Sequence, residues 1–400
     1  MTIKNTTMHI KNWFTNFSVF HVIPILISCA LSYFILLYFS KTDRTFPIHT
    51  EIIKGDQKMT RANLANCTDG IQSEIELVGS IKNPASITIF GSSELGELAY
   101  APYFFLPDSL NIPTFAFGHA YHQSFSMFCE LLALKKHLKN TKICILISPG
   151  WFETEGTNIE AFLEFVRPNF LKSIIQNKDI SEEFKLKIGE YISKNYDLIE
   201  QPSNSIYYFN ELYKSRNSKL LTQILKKKNL VSENLDYSIK LAADLPAKSH
   251  TFDWETSRNR VQKQFISSIK TNSFFITDEY YTTYLLDANK KYTPGSSEDI
   301  DVSTNQELKD FELLIQILKM NNCDASFVIQ PLNPYHFKDL NKFSKIIHSV
   351  EGLIKKNKYP CLNMFVTSTA DFEPGTLNDI MHLGDYGWMH INEFLVKTYE

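Results

Sequence analysis

The chain has 400 residues, 44% of them hydrophobic, and its 41 Lys and Arg nearly balance its 44 Asp and Glu for a formal charge of -3. That is ample apolar material for a large core, and the charge balance excludes the basic footprint of a nucleic-acid binder. The six cysteines, Cys29, Cys67, Cys129, Cys144, Cys323 and Cys361, show no C-x-x-C or other metal-ligand spacing, so zinc is not expected and buried free thiols are.

Residues 1–18 form a short leading segment. Val19 to Phe39, VFHVIPILISCALSYFILLYF, contains no Asp, Glu, Lys or Arg and is long enough to cross a hydrocarbon core of about 30 Å. Aromatic and Leu residues continue to Ser40 with no small-x-small cleavage site, which predicts an uncleaved transmembrane anchor over 19–40. Pro24 falls in the first turns, where a kink is tolerable. Lys4 and Lys11 on one side nearly cancel Lys41 and Arg44 on the other, so loop charge leaves the orientation undecided. The simplest topology for one N-terminal anchor ahead of a large domain puts 1–18 in the cytoplasm and 41–400 outside it, at the plasma membrane.

Beyond a polar stretch from Lys41 to Asn83, short apolar runs recur at Ser86–Phe90, Pro113–Phe117, Ile143–Ile147, Ser326–Ile329 and Leu362–Val366. Each is bounded by Gly, Pro or Asn and reads as a buried parallel strand. Phe125–Leu138 has apolar residues at helical spacing. Ser303 to Gln306 has capping-box form, followed by Leu308, Phe311, Ile315 and Leu318 on one helix face. The alternation predicts an α/β fold, a parallel sheet covered by helices. Segment 158–299, with amphipathic stretches at Ser181–Tyr196 and Arg258–Ile269, reads as a mostly helical insertion, and Lys226–Lys228 as a solvated face.

The stretch SITIFGSSEL, Ser86 to Leu95, runs an apolar strand into a turn with two adjacent serines. Such a turn sets a hydroxyl at the carboxyl edge of a sheet, where α/β enzymes work. Gly295-Ser296-Ser297-Glu298 repeats the four letters with no strand in front, so the letters alone carry little. A serine hydroxyl is weakly nucleophilic and needs an imidazole to take its proton and a carboxylate to orient that imidazole. Asp379-Ile-Met-His382 supplies both at a spacing that places the two side chains on one face of a turn.

Four motifs in order, Phe90–Leu95 (FGSSEL), Phe117–Ser124 (FGHAYHQS), Ile147–Phe152 (ISPGWF) and Asp379–His382 (DIMH), resemble those of the DltD family, membrane-anchored proteins of the SGNH hydrolase-like fold. The resemblance implies a three-layer SGNH hydrolase-like sheet and sets Ser93 where that fold carries the serine of its G-D-S element, with His382 and Asp379 completing a catalytic triad. Ser92 is the alternative, or a turn-stabilising hydroxyl. The resemblance further implies D-alanylation of teichoic acid or a related cell-envelope polymer, alongside a multi-pass membrane O-acyltransferase and an aminoacyl carrier protein. Two departures bear on substrate choice: Gly118-His119-Ala120 where the family tends to have a glycine-richer turn, and Gly150 before Trp151 where a larger polar residue is common.

Acyl transfer needs donors for the developing oxyanion. The amides of Ser93 and Gly118 are the natural ones, with the Gln123 side chain as a third. Glu94 is expected in the first turn of a helix, where the dipole favours an acid. Trp151 and Phe152 are candidates to line an acyl pocket, the alternative being core aromatics at a strand end, and His336 in Gln330–His336 is a candidate substrate contact, the alternative being a satisfied surface histidine. No Walker-type glycine loop or metal cluster appears, and the chemistry needs no cofactor. Two other readings stand beside acyl transfer: a thioesterase or carbohydrate esterase, in which water resolves the same acyl-enzyme, and a non-catalytic docking partner of a membrane O-acyltransferase.

Overall fold

The structure, a computed structural model, describes residues 70–96, 98–153, 155–216, 224, 252–297 and 299–400. The expected anchor at 19–40, Cys29, Cys67 and Lys226–Lys228 lie outside them. Among the described residues, no helix is long and apolar enough to cross a membrane.

Five short strands, β1 (Ile87–Phe90), β2 (Thr114–Phe117), β3 (Lys142–Ile147), β4 (Asp324–Ile329) and β5 (Cys361–Asn363), make one parallel sheet in the order β2-β1-β3-β4-β5. Every residue of β1 and β2 is buried. That is the pattern of a sheet covered on both faces, and it explains why these strands read as unbroken apolar runs. The last strand begins one residue before the expected run and stops at Asn363, whose side-chain oxygen accepts from the Phe365 amide and turns the chain away.

Ten α-helices longer than one turn are described: α1 (Gly70–Lys82), α2 (Ser124–Ala133), α3 (Ile159–Phe165), α4 (Pro168–Gln176), α5 (Glu182–Asn195), α6 (Asn204–Ser215), α7 (Trp254–Ser268), α8 (Gln306–Met320), α9 (Ser344–Lys356) and α10 (Asp385–Tyr399). Side chains alternate across the sheet. Ile87, Ile89, Ala116, Cys144, Leu146 and Val328 pack on one face with Trp388, Met389, Ile391 and Leu395 of α10. The opposite side chains meet α8, where Phe311 sets its ring edge on Phe327 at 5.8 Å, and α2 lies beside α8. Truncating a buried Phe of this kind to Ala costs about 3–5 kcal/mol. The C-terminus is fastened by Tyr399, whose hydroxyl donates to the Ile143 carbonyl at 2.8 Å.

The α8 face of Leu308, Phe311, Ile315 and Leu318 is buried as the spacing predicts, but the helix starts later than the capping-box reading. Asp301 draws in the Ser303 amide and hydroxyl and the Thr304 hydroxyl. Asn305 is the cap, its side chain accepting from the Leu308 amide at 2.9 Å. The helices α3 to α7 all fall between residues 158 and 299. Cys129, Cys144 and Cys323 are buried free thiols, and Cys361 is a free, partly buried one.

From β1 the chain moves to β2 on one side, then crosses to β3 on the other side of β1. The crevice beyond the carboxyl ends of β1 and β3 is therefore the topological switch point of the sheet, the usual ligand position in an open α/β fold. Gly91-Ser92-Ser93 leaves β1 there.

Candidate active site

Ser93 is exposed at the turn after β1, while Gly91, Ser92 and Glu94 around it are buried. No helix follows at once: the next one starts at Pro102, α-helical over Pro102–Phe105 and π-helical over Leu106–Leu110. Glu94 therefore does not sit in a first helical turn, as the dipole reading expected. Its carboxylate folds back and accepts the Ser92 amide at 2.7 Å. Burial pushes the Glu94 carboxyl above the usual carboxylate range, and the hydrogen bond from Ser92 recovers only part of that shift.

The Asp379–His382 loop is built by one carboxylate. Asp379 Oδ1 accepts the amides of Met381 and His382, each at 2.8 Å, and Oδ2 holds His382 Nδ1 at 2.7 Å. The first two bonds are the Asx-turn chemistry that favours Asp in tight turns. The third fixes the imidazole. Asn378 N–H donates to the His382 carbonyl at 2.8 Å and Gly384 N–H to Thr376 O at 2.9 Å, closing the loop on itself. At Gly384 a Cβ would stand 2.5 Å from Gly375 O, so only glycine lets the two backbones approach this closely.

His382 Nε2 lies 3.0 Å from Ser93 Oγ. A carboxylate, an imidazole and a hydroxyl thus form one hydrogen-bonded chain, across 289 residues of sequence, at the switch point. Burial works against a charged His382, but the Asp379 hydrogen bond and charge, with Glu94 behind them, outweigh it and hold its pKa above the ordinary histidine value.

Gly118 follows β2 at φ +131°, and a Cβ on it would fall 2.0 Å from the Gly91 carbonyl oxygen. Glycine is required both by conformation and by space. The Gly91 amide is committed to Phe117 O and the Ser92 amide to Glu94, whereas the amides of Ser93 and Gly118 have no partner among the described residues. Gln123 stands at the N-cap position of α2 without a side-chain capping bond and donates its side-chain amide to Trp151 O at 3.3 Å. Trp151 and Phe152 are buried, 5% and 1% exposed, in the tight turn after β3. His336 is buried with its Nδ1 2.9 Å from the Tyr292 hydroxyl, and burial lowers its pKa. Among the described residues, no group of three or more His, Cys, Asp or Glu could hold a metal ion. In the second copy of the four letters, Ser297 is buried and its hydroxyl has no partner among the described residues.

Sequence reasoning passed over two supports. Asn333, fully buried, donates its amide to Ile380 O and its side chain to Phe274 O, tying the acid–histidine loop to the segment after β4. Its place in QPLNPYH at a strand end is the signal that could have found it. Tyr280 lies within the field of Asp379, and its hydroxyl pKa is pushed up to about 12, chiefly by burial. It belongs to the segment whose Thr277 amide donates to Asn378 O at 3.0 Å.

A five-stranded parallel sheet covered by helices, with a serine, a histidine and an aspartate in one hydrogen-bonded chain at its switch point, defines an α/β protein. The model of the family described as DltD protein matches residues 72–400, and the chain belongs to that family. Protein DltD of Staphylococcus aureus (strain NCTC 8325 / PS 47) is 22% identical over 321 residues, covering 77% of this chain and 80% of the relative. Protein DltD of Bacillus subtilis (strain 168) is 22% identical over 350 residues, 80% of this chain and 84% of the relative. Protein DltD of Lacticaseibacillus rhamnosus is 21% identical over 368 residues, with 84% of each chain covered.

Proposed function

We propose that this is a membrane-anchored serine acyl-handling enzyme of the SGNH hydrolase-like fold that takes part in the D-alanylation of teichoic acid or a related cell-envelope polymer. The observation that carries the chemistry is the unbroken Asp379–His382–Ser93 chain, 2.7 and 3.0 Å long in its two links. Family membership carries the pathway.

Ser93 Oγ attacks the carbonyl carbon of an activated acyl group while His382 Nε2 takes the hydroxyl proton. Asp379 holds Nδ1–H, which leaves Nε2 able to accept and stabilises the imidazolium as it forms. The amides of Ser93 and Gly118 donate to the oxyanion, and removal of such a donor costs about 2.7–4 kcal/mol in comparable sites. Gln123 contributes by holding Trp151, and the buried Trp151 and Phe152 shape the wall rather than the rim. His382 then returns the proton to the leaving group, and an acceptor hydroxyl repeats the steps in reverse on the Ser93 ester.

A polymer hydroxyl as acceptor makes the reaction a transfer; water makes it hydrolysis. The domain over 41–400, with its helical insertion at 158–299, works outside the cytoplasm, held by the helix at 19–40. It works alongside a multi-pass membrane O-acyltransferase and an aminoacyl carrier protein. The test is complementation of a cell lacking its DltD protein, with ester-linked D-alanine released from the envelope by mild base and quantified. Wild-type protein restores it and Ser93→Ala does not. Equal restoration by Ser93→Ala would return the protein to a docking role without chemistry.

A further inference from the structure

We propose that a second histidine–carboxylate pair, His122–Glu130, positions the nucleophile by clamping the Gly91–Ser92 peptide, an inference that rests on the reading of Ser93 above. His122 is 0% and Glu130 4% exposed. His122 Nδ1 lies 3.2 Å from the Gly91 carbonyl oxygen and Nε2 2.8 Å from Glu130 Oε2. The imidazole stacks on Phe165 with centroids 4.0 Å apart at 18°.

A carbonyl oxygen only accepts, so Nδ1 carries a proton and donates. Nε2 faces Glu130, either as an imidazolium N–H on a carboxylate or as a lone pair on a carboxylic acid. Both assignments match the two ring nitrogens and Glu130 Oε2.

The β1–β2 ladder ends with Gly91 N–H on Phe117 O. The next acceptor in line is Gly91 O, but the chain peels away at Gly118, φ +131°, and the imidazole takes the strand's place. On the other edge of the same peptide, Ser92 N–H is held by Glu94 Oε1 at 2.7 Å. The plane is thus gripped at its carbonyl by His122 and at its amide by Glu94, and Ser93 follows directly. Rotation of that plane would swing both the Ser93 hydroxyl and the Ser93 amide, and a misplacement of about 1 Å costs about 10²-fold in rate. A pair that served only to pack α2 would have no reason to aim at the peptide next to the nucleophile. His122 and Glu130 act through Ser93 and touch no substrate.

The experiment follows the rate of Ser93 modification by a serine-directed fluorophosphonate on full-length protein in detergent, against pH, beside thermal unfolding. His122→Phe combined with Glu130→Leu keeps the ring on Phe165 and leaves no buried charge. It is expected to fold and to react about 10²-fold more slowly, with the pH midpoint unmoved because Asp379–His382 is intact. His122→Asn, whose Nδ2–H stands in for Nδ1–H, recovers most of the rate. A folded double variant reacting at the wild-type rate, or one whose pH midpoint shifts, overturns the clamp. Should the double variant not fold, nitrogen-15 NMR of wild-type histidines decides: an exchange-protected Nδ1–H on His122 supports the clamp, and an unprotonated Nδ1 overturns it. Wild-type protein that never reacts would sink the Ser93 reading and the purpose of the clamp with it.

Discussion

Asp379→Asn separates the two jobs of the acid. The wild-type carboxylate makes three bonds, two to the amides of Met381 and His382 through Oδ1 and one to His382 Nδ1 through Oδ2. An asparagine that keeps Oδ1 on the amides presents Nδ2–H to Nδ1. The imidazole must then carry its proton on Nε2, pointed at Ser93 Oγ, and cannot accept. Restoring the reactive tautomer means turning the amide and giving up the two backbone bonds, about 2 kcal/mol at about 1 kcal/mol each. The lost charge-assisted bond adds about 1.5–3 kcal/mol. Together these amount to about 3.5–5 kcal/mol, or roughly 10³-fold in rate at about 1.36 kcal/mol per decade. The assay is the fluorophosphonate reaction rate at neutral pH, with thermal unfolding to show that the loop survives. Asp379→Asn within tenfold of wild type, in folded protein, would refute the tautomer argument.

Three further outcomes follow from the same geometry. Ser92→Ala and Ser297→Ala retain Ser93 reactivity within a few fold, measured by the same rate, because neither hydroxyl belongs to the chain of bonds to His382. The Ser93 reaction rises with pH through the His382 pKa, held above the ordinary 6.5, since only the neutral imidazole accepts a proton. Glu94→Gln keeps the acceptor for Ser92 N–H but removes one raising charge, so its pH–rate midpoint moves down. Stability falls at high pH through α8. Burial and the Asp310 charge push Glu307 from 4.5 to about 8, and burial pushes Asp310 from 3.8 to about 7. Both groups bind protons more tightly folded than unfolded, so their contribution is complete at the acid end and is lost as pH climbs to about 7–8. Glu307→Gln, which still accepts the Ser124 amide that Glu307 Oε1 holds at 3.0 Å, shows a smaller drop in melting temperature between pH 5.5 and 8.5. An equal drop would contradict the assignment.

Local pattern carried the frame of this fold. The five apolar runs lie within a residue or two of β1 to β4 at their starts and three residues of β5 at its end, because strands buried on both faces leave a continuous signature that needs no tertiary information. Asp-x-x-His was readable for the same reason: the carboxylate that orients the ring also makes the turn that brings the two together. What escaped was set by which of several available partners a polar group takes. Glu94 looked like a dipole residue, yet the helix it was to begin is absent and its carboxylate closes the serine turn instead. The start of α8 moved because Asp301 captured Ser303, a competition between two plausible local turns that spacing alone does not decide. Trp151 and Phe152 follow a strand toward the active edge, but Gln123 and Asn305 hold their carbonyls and the rings go into the core.

The central claim is that Ser93 is an activated nucleophile. Intact-mass spectrometry of the full-length protein after fluorophosphonate treatment, with Ser93→Ala and His382→Ala beside it, tests it most directly. Wild type is expected to gain a single adduct that maps to Ser93, Ser93→Ala none, and His382→Ala almost none over the same time. An adduct kept by folded Ser93→Ala, or none on folded wild-type protein, would contradict the claim.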